Sequence, residues 1–100
     1  MANQVLEGKV KEAIYALVEE ETERKVGELS AVTEIAEVRP GVVMVRFTPY
    51  SAYSPTAVDL GRRIRDAAAG VEGVTEVVVE CSGHMQDDLV NRLVNPRHHQ

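Results

Sequence analysis

The chain has 100 residues, 44% hydrophobic and 27% charged. That is the size and make-up of one globular domain, and it excludes a disordered segment. Asp and Glu outnumber Lys and Arg by 16 to 11, for a net charge of -5, so a nucleic acid or an anionic membrane is not expected as a partner. Cys81 is the single cysteine and cannot form an internal disulfide. No apolar run reaches the roughly 18 residues of a membrane span, and the start lacks a basic and apolar leader. A reducing cytoplasm is the expected compartment.

In chain order, Leu6, Val10, Ala13, Ile14, Leu17 and Val18 recur at three- and four-residue steps, which predicts a first helix with these residues on one face. The run Glu19 to Lys25 drops this pattern, so the helix frays or ends there with Gly27 as a stop, and Glu19 to Glu23 reads as a solvated face. Val32 to Arg39 and Val42 to Thr48 are rich in β-branched residues and predict a hairpin. Between them, Pro40-Gly41 has the chemistry of a type II turn. In the second strand Val43, Val45 and Phe47 share one face, and Val42, Met44 and Arg46 the other.

Two prolines make Thr48 to Thr56 a loop. A second helix follows from about Pro55 to Ala69, with Ser54 or Thr56 as its cap and Ala57, Leu60, Ile64 and Ala67 or Ala68 as its buried stripe. Val74 to Cys81 is the third strand, with Val77, Val79 and Cys81 on one face. A last helix, about Gln86 to Val94, ends at Asn95-Pro96. Residues 96–100 form a mobile tail, leaving a single domain over 1–100 with its core at about 6–95. The order helix, strand, strand, helix, strand, helix predicts an α+β fold: a three-stranded mixed sheet with helices packed on one face.

The richest polar constellation is the 48–56 loop. Thr48, Ser51, Ser54 and Thr56, with Tyr50 and Tyr53, precede a helix N-terminus, where free N–H groups favour an anion or a partner carboxylate. Plain capping uses the same residues. Tyr50 and Tyr53 suit either an exposed interface or half-burial over the sheet edge. Cys81 and His84 form a Cys-x-x-His pair, a weak metal candidate. Both are ligand types, but a structural site needs about four ligands, and a buried Cys81 reads as a small hydrophobe. His98 and His99 would complete a site only if the tail folded back or a second chain contributed. His84, Asp87 and Asp88 invite a catalytic reading with Ser54, yet no nucleophile-elbow motif is present and helix capping explains the acids equally well. Arg62, Arg63 and Arg65 stand near Asp59 and Asp66, as in solvated surface ion pairs. Glu34, Glu37 and Arg39 suit a protected edge strand.

Phe47-Thr48-Pro49, then Ser54, Ala57 and Leu60-Gly61, resembles the signature of the PaaD/SufT-type domain family. It is similar above all to the eukaryotic branch that serves cytosolic iron–sulfur targeting. His84, Asp87, Asp88, Val90 and Asn91 resemble that branch's second motif. The resemblance covers about residues 6–95. It implies an α+β fold and a role in assembling or delivering iron–sulfur clusters through protein contacts. Two positions depart from the family: its loop cysteine falls on Ser54, and its Asp-Pro-Glu segment on Glu21-Thr22-Glu23. A hydroxyl is a poor substitute for a thiolate toward iron.

The expected function is therefore that of a non-catalytic interaction factor for iron–sulfur assembly or client proteins. Its surface would comprise Thr48, Tyr50, Ser51, Tyr53, Ser54, Thr56 and His84. An iron–sulfur cluster is the one cofactor the resemblance raises, and no metal site is assigned. A small-anion or metabolite-binding domain at the start of the second helix is the alternative, and a homo-oligomer with a mostly structural role is the third reading.

Overall fold

The computed structural model describes residues 4–29 and 31–95. The tail at 96–100, with His98 and His99, lies outside them. Along the chain run α1 (Gln4–Tyr15), β1 (Val18–Glu19), β2 (Arg24–Lys25), α2 (Val26–Leu29), β3 (Val32–Arg39), β4 (Val42–Phe47), α3 (Ala57–Ala69), β5 (Glu76–Cys81) and α4 (Asp87–Val94). The principal sheet has three strands in the order β3-β4-β5. β3 and β4 are antiparallel, and β4 and β5 are parallel. The expected mixed sheet is what the chain forms.

The period-two pattern of the strands decides which face is covered. Val43, Val45 and Phe47 of β4 stand in register with Val77, Val79 and Cys81 of β5. All six are buried, with Leu6, Val10 and Ile14 of α1, Leu60, Ile64 and Ala68 of α3, and Val90 and Val94 of α4. Burying each of the larger side chains contributes about 1.5–3 kcal/mol. The helices therefore lie on one face. On the other, Arg46 bridges Glu34 at 3.1 Å and Glu80 at 2.9 Å, one strand to each side. These exposed pairs add little stability, but they order the open face.

Two glycines are fixed by local geometry. Gly41 follows Pro40 in the β3–β4 turn with φ +80°, the positive angle a type II turn needs at that position. Gly61 is buried where α3 passes closest to α4: a Cβ there would lie 2.6 Å from Val94 Cγ2 and 3.3 Å from Phe47 Cε1.

The acidic run departs from expectation. α1 stops at Tyr15, and the chain then forms a small antiparallel ribbon, β1 with β2. Val18, expected on the buried face of the first helix, is exposed, and Glu19 is buried in its place. The cause is local: the Glu19 carboxylate accepts hydrogen bonds from the backbone N–H groups of Glu21 at 2.9 Å and Thr22 at 2.8 Å, a turn that competes with helix. Glu23 completes it with φ 61°. Gly27 is not a helix stop. It lies in α2, and a Cβ there would lie 2.9 Å from atoms of the Tyr15 side chain.

The arginines of α3 also differ from expectation. Arg62 Nε donates to the Leu93 carbonyl at 3.3 Å, and Arg63 Nη1 to the Val18 carbonyl at 2.8 Å. A guanidinium gains more from a carbonyl acceptor, at the end of α4 for Arg62 and in β1 for Arg63, than from a solvated carboxylate one turn away. The ion pairs with Asp59 and Asp66 do not form.

β5 is an edge strand, and α4 closes that edge. Asn95 accepts from the Val79 N–H at 2.9 Å through Oδ1 and donates to the Val79 carbonyl at 2.6 Å through Nδ2. Asn91 does the same at Cys81, at 2.5 and 3.3 Å. Two amides one helical turn apart thus replace a neighbouring strand, which blocks edge-to-edge pairing there.

Candidate functional site

β4 and β5 end side by side at Phe47 and Cys81, and the 48–56 loop and the His84 turn emerge from those carboxyl ends. Backbone hydrogen bonds stitch them together. Ser82 N–H donates to the Phe47 carbonyl at 2.9 Å, Thr48 N–H to Ala31 at 2.8 Å, and Met85 N–H to Ala52 at 2.8 Å. Gln86 N–H donates to His84 Nδ1 at 3.0 Å, which leaves the ring proton on Nε2, 3.0 Å from the Ser54 carbonyl it meets. His84 therefore spends both nitrogens holding the loop.

Ser54 is buried, 4% exposed. Its hydroxyl donates to Oε1 of Glu21, and the Thr56 hydroxyl donates to the same oxygen at 3.0 Å. Neither hydroxyl caps α3. The helix begins at Ala57 with Thr56 as its first flanking residue, and Thr56 makes no side-chain cap bond. The carboxylate that the helix start was expected to attract is the chain's own. A charged acceptor draws the hydroxyls more strongly than a helix N–H does.

Glu19 lies beside this cluster, 2% exposed. Desolvation works against its charge, but hydrogen bonds from Glu21, Thr22 and Thr56 outweigh it and hold the carboxyl below its ordinary pKa. The residues expected to form one surface thus divide. Thr48, Tyr50, Ser51 and Tyr53 are exposed, Thr56 and His84 are half-buried, and Ser54 is interior. Tyr50 is 65% exposed and Tyr53 74%, which settles them as outward-facing. A cleft of about 320 Å³ lies under Tyr50, among Glu19, Leu29, Ala31, Thr48, Pro49 and Leu60. A second, of about 300 Å³, lies under Tyr53, among Ser54, Ala57, Val58, His84, Leu89 and Val90.

Glu19 and Glu21 were not expected in the site. The available signal was the resemblance noted for Glu21-Thr22-Glu23, and the fold brings Glu21 against Ser54 and Thr56.

Cys81 is 2% exposed. Burial first, and then the Asp87 charge, push its thiol up to about 11, so it stays protonated and is a poor ligand or nucleophile. Cys81 and His84 are thus a core residue and a loop clasp. Among the described residues no group of three or more His, Cys, Asp and Glu side chains is placed to hold a metal ion. A cluster asks for thiolates; a protonated Cys81 and a Ser54 hydroxyl bound to a carboxylate do not fit one as a resident group.

No protein-family model matches the chain, and no curated protein matches its sequence. Solved structures share its fold. A crystal structure of the domain of unknown function DUF59 from Bacillus anthracis superposes with a TM-score of 0.73 at 18% identity, covering 79% of this chain and 76% of that one. The solution structure of Rv1466 from Mycobacterium tuberculosis, a protein associated with Fe-S complex assembly and repair, gives 0.53 at 22% identity, covering 89% and 77%. At such identities the likeness is one of fold: this chain has the architecture of DUF59 domain proteins. No helix among its described residues is long and apolar enough to cross a membrane.

Proposed function

We propose that this protein is a non-catalytic interaction factor in iron–sulfur cluster assembly or delivery, contacting assembly or client proteins through the 48–56 loop. The observation that carries the reading is the pair Tyr50 and Tyr53, both largely exposed on a loop whose backbone is pinned to Ala31 and to the His84 turn. Exposed aromatics on a preordered loop lose little entropy on binding and suit hot-spot contacts. The association of Rv1466 with Fe-S complex assembly and repair and the Phe47-Thr48-Pro49 and His84 motifs supply the process. The reading places Ser54 and His84 behind the surface, where they hold the loop in shape.

The small-anion alternative loses ground, because Glu21 takes the Ser54 and Thr56 hydroxyls an anion would need and adds a like charge. A phosphate-dependent rise in thermal midpoint would revive it.

The test is genetic. In a strain lacking this protein, iron–sulfur enzyme activities should fall and be restored by the wild-type chain, but not by a folded Tyr50→Ser/Tyr53→Ser variant. Restoration by the variant would remove the loop from the function. Undiminished activities in the deletion strain would remove the process.

A further inference from the structure

The outward face of α4 carries a pattern that nothing in the chain uses. Leu89 and Leu93 are 40% and 42% exposed, and Asp88 and Arg92 beside them are exposed. Each pair is four residues apart, one helical turn, so the helix presents two parallel stripes, one apolar and one bearing a negative then a positive charge. An acid four residues before an arginine commonly pairs with it. Here the described ion pairs belong to Arg24 with Glu28 and to Arg46 with Glu34 and Glu80, and neither Asp88 nor Arg92 takes part in them.

We infer that this face is a self-association surface whose partner is a second copy of the chain, docked through an antiparallel α4 pair. The face is self-complementary under twofold symmetry, which requires that if residue i meets residue j, then j meets i. In an antiparallel helix pair like stripes face like stripes. With the axis crossing near residues 90 and 91, Leu89 meets Leu93 of the second copy, and the same operation sets Asp88 against the second copy's Arg92. The leucine stripe is centred on residue 91 and the charged stripe on residue 90, so an axis between them lies about 0.75 Å of helix rise from each centre, an offset that side chains absorb. The patch therefore carries its own complement in charge as well as in apolar surface. The inner side of α4 is already committed: Val90 and Val94 to the core, Asn91 and Asn95 to the β5 edge. The outer side is accordingly the face left for a neighbour. A single eight-residue helix offers a small contact, so the dimer is weak, with a dissociation constant of about 10–1000 µM. Leu89 borders the cleft under Tyr53, so this surface adjoins the loop, but it is tested separately, by self-association of the purified chain.

Sedimentation velocity over a concentration series tests it. Wild type should shift from monomer to dimer below about 1 mM. Asp88→Arg and Arg92→Asp should each be monomeric, because each places like charges opposite one another. Mixed in equal amounts, the two variants should form a heterodimer, since every facing pair is then opposite in sign. Leu89→Ser should abolish both the homodimer and the heterodimer. A wild type that stays monomeric overturns the inference. So does a dimer that survives either charge reversal, or a mixture of the two variants that stays monomeric.

Discussion

The Ser54 hydroxyl donates to the Glu21 carboxylate across 33 positions of sequence, tying the loop after β4 to the ribbon after α1. The proton of this hydroxyl is committed to a carboxylate. That bond makes position 54 structural. Ser54→Ala should destabilise the fold by about 1–2 kcal/mol, because the buried hydroxyl's hydrogen bond to the charged but exposed Glu21 carboxylate is lost. In a domain of this size that lowers the midpoint by about 5–10 °C. Thermal melts of Ser54→Ala, Glu21→Gln and the double variant form a cycle, with a coupling of about 1 kcal/mol expected. Strictly additive single effects would show that the bond contributes nothing.

Glu19 makes the ribbon sensitive to acid. Its folded-state pKa lies below the ordinary value of 4.5. The contribution is therefore present above that value and is lost as pH falls through the lower, folded-state value. Glu19→Gln should be less stable than wild type near neutrality and lose less stability on acidification below about pH 4.5. Parallel stability curves for the two proteins across that range would rule this role out.

Cys81 acts at the other end of the scale. Its thiol is raised from 9.0 to about 11, so the folded state holds a proton that the unfolded state releases first. Stability from this source is complete below the unfolded value and falls as pH rises from 9 through 11, by at most about 3 kcal/mol. Denaturant melts near pH 8 and pH 10.5 should show wild type losing about 1–2 kcal/mol more than Cys81→Ala. The native thiol should also resist alkylation until the chain unfolds. Rapid labelling under native conditions would contradict the burial argument.

The asparagine clasp on β5 predicts a local effect. Asn95→Ala removes both partners of the Val79 backbone, at a cost of about 1–3 kcal/mol. Hydrogen exchange should quicken most at the Val79 amide, and the exposed edge should raise the tendency to aggregate. Unchanged protection at Val79 would show that α4 does not seal the edge.

What could be read from the sequence follows from how local each signal is. The alternation in Val43, Val45 and Phe47 and in Val77, Val79 and Cys81 is a period-two pattern, and it gave both strands, their buried face and the side for the helices. Pro40-Gly41 carries its turn in two residues. The stretch from Glu19 to Lys25 misled because six good helix formers conceal a turn that exists only once Glu19 folds back onto the N–H groups of Glu21 and Thr22. The polar loop was recognisable by composition, but not its division into outward tyrosines and an inward serine. That division depends on Glu21, a residue distant in sequence. Asn91 was legible only as part of the resembled motif, and Asn95 only as the end of the last helix. Their reason lies in the strand edge they close.

The measurement closest to the central claim is affinity capture from cell extract under anaerobic conditions. The wild-type chain is compared with a Tyr50→Ser/Tyr53→Ser variant of matched thermal midpoint, and recovered proteins are quantified by mass spectrometry. The account predicts that iron–sulfur assembly proteins or clients are enriched on the wild type and lost from the variant. Equal recovery on both, or a wild-type set containing no protein of iron–sulfur metabolism, would contradict it.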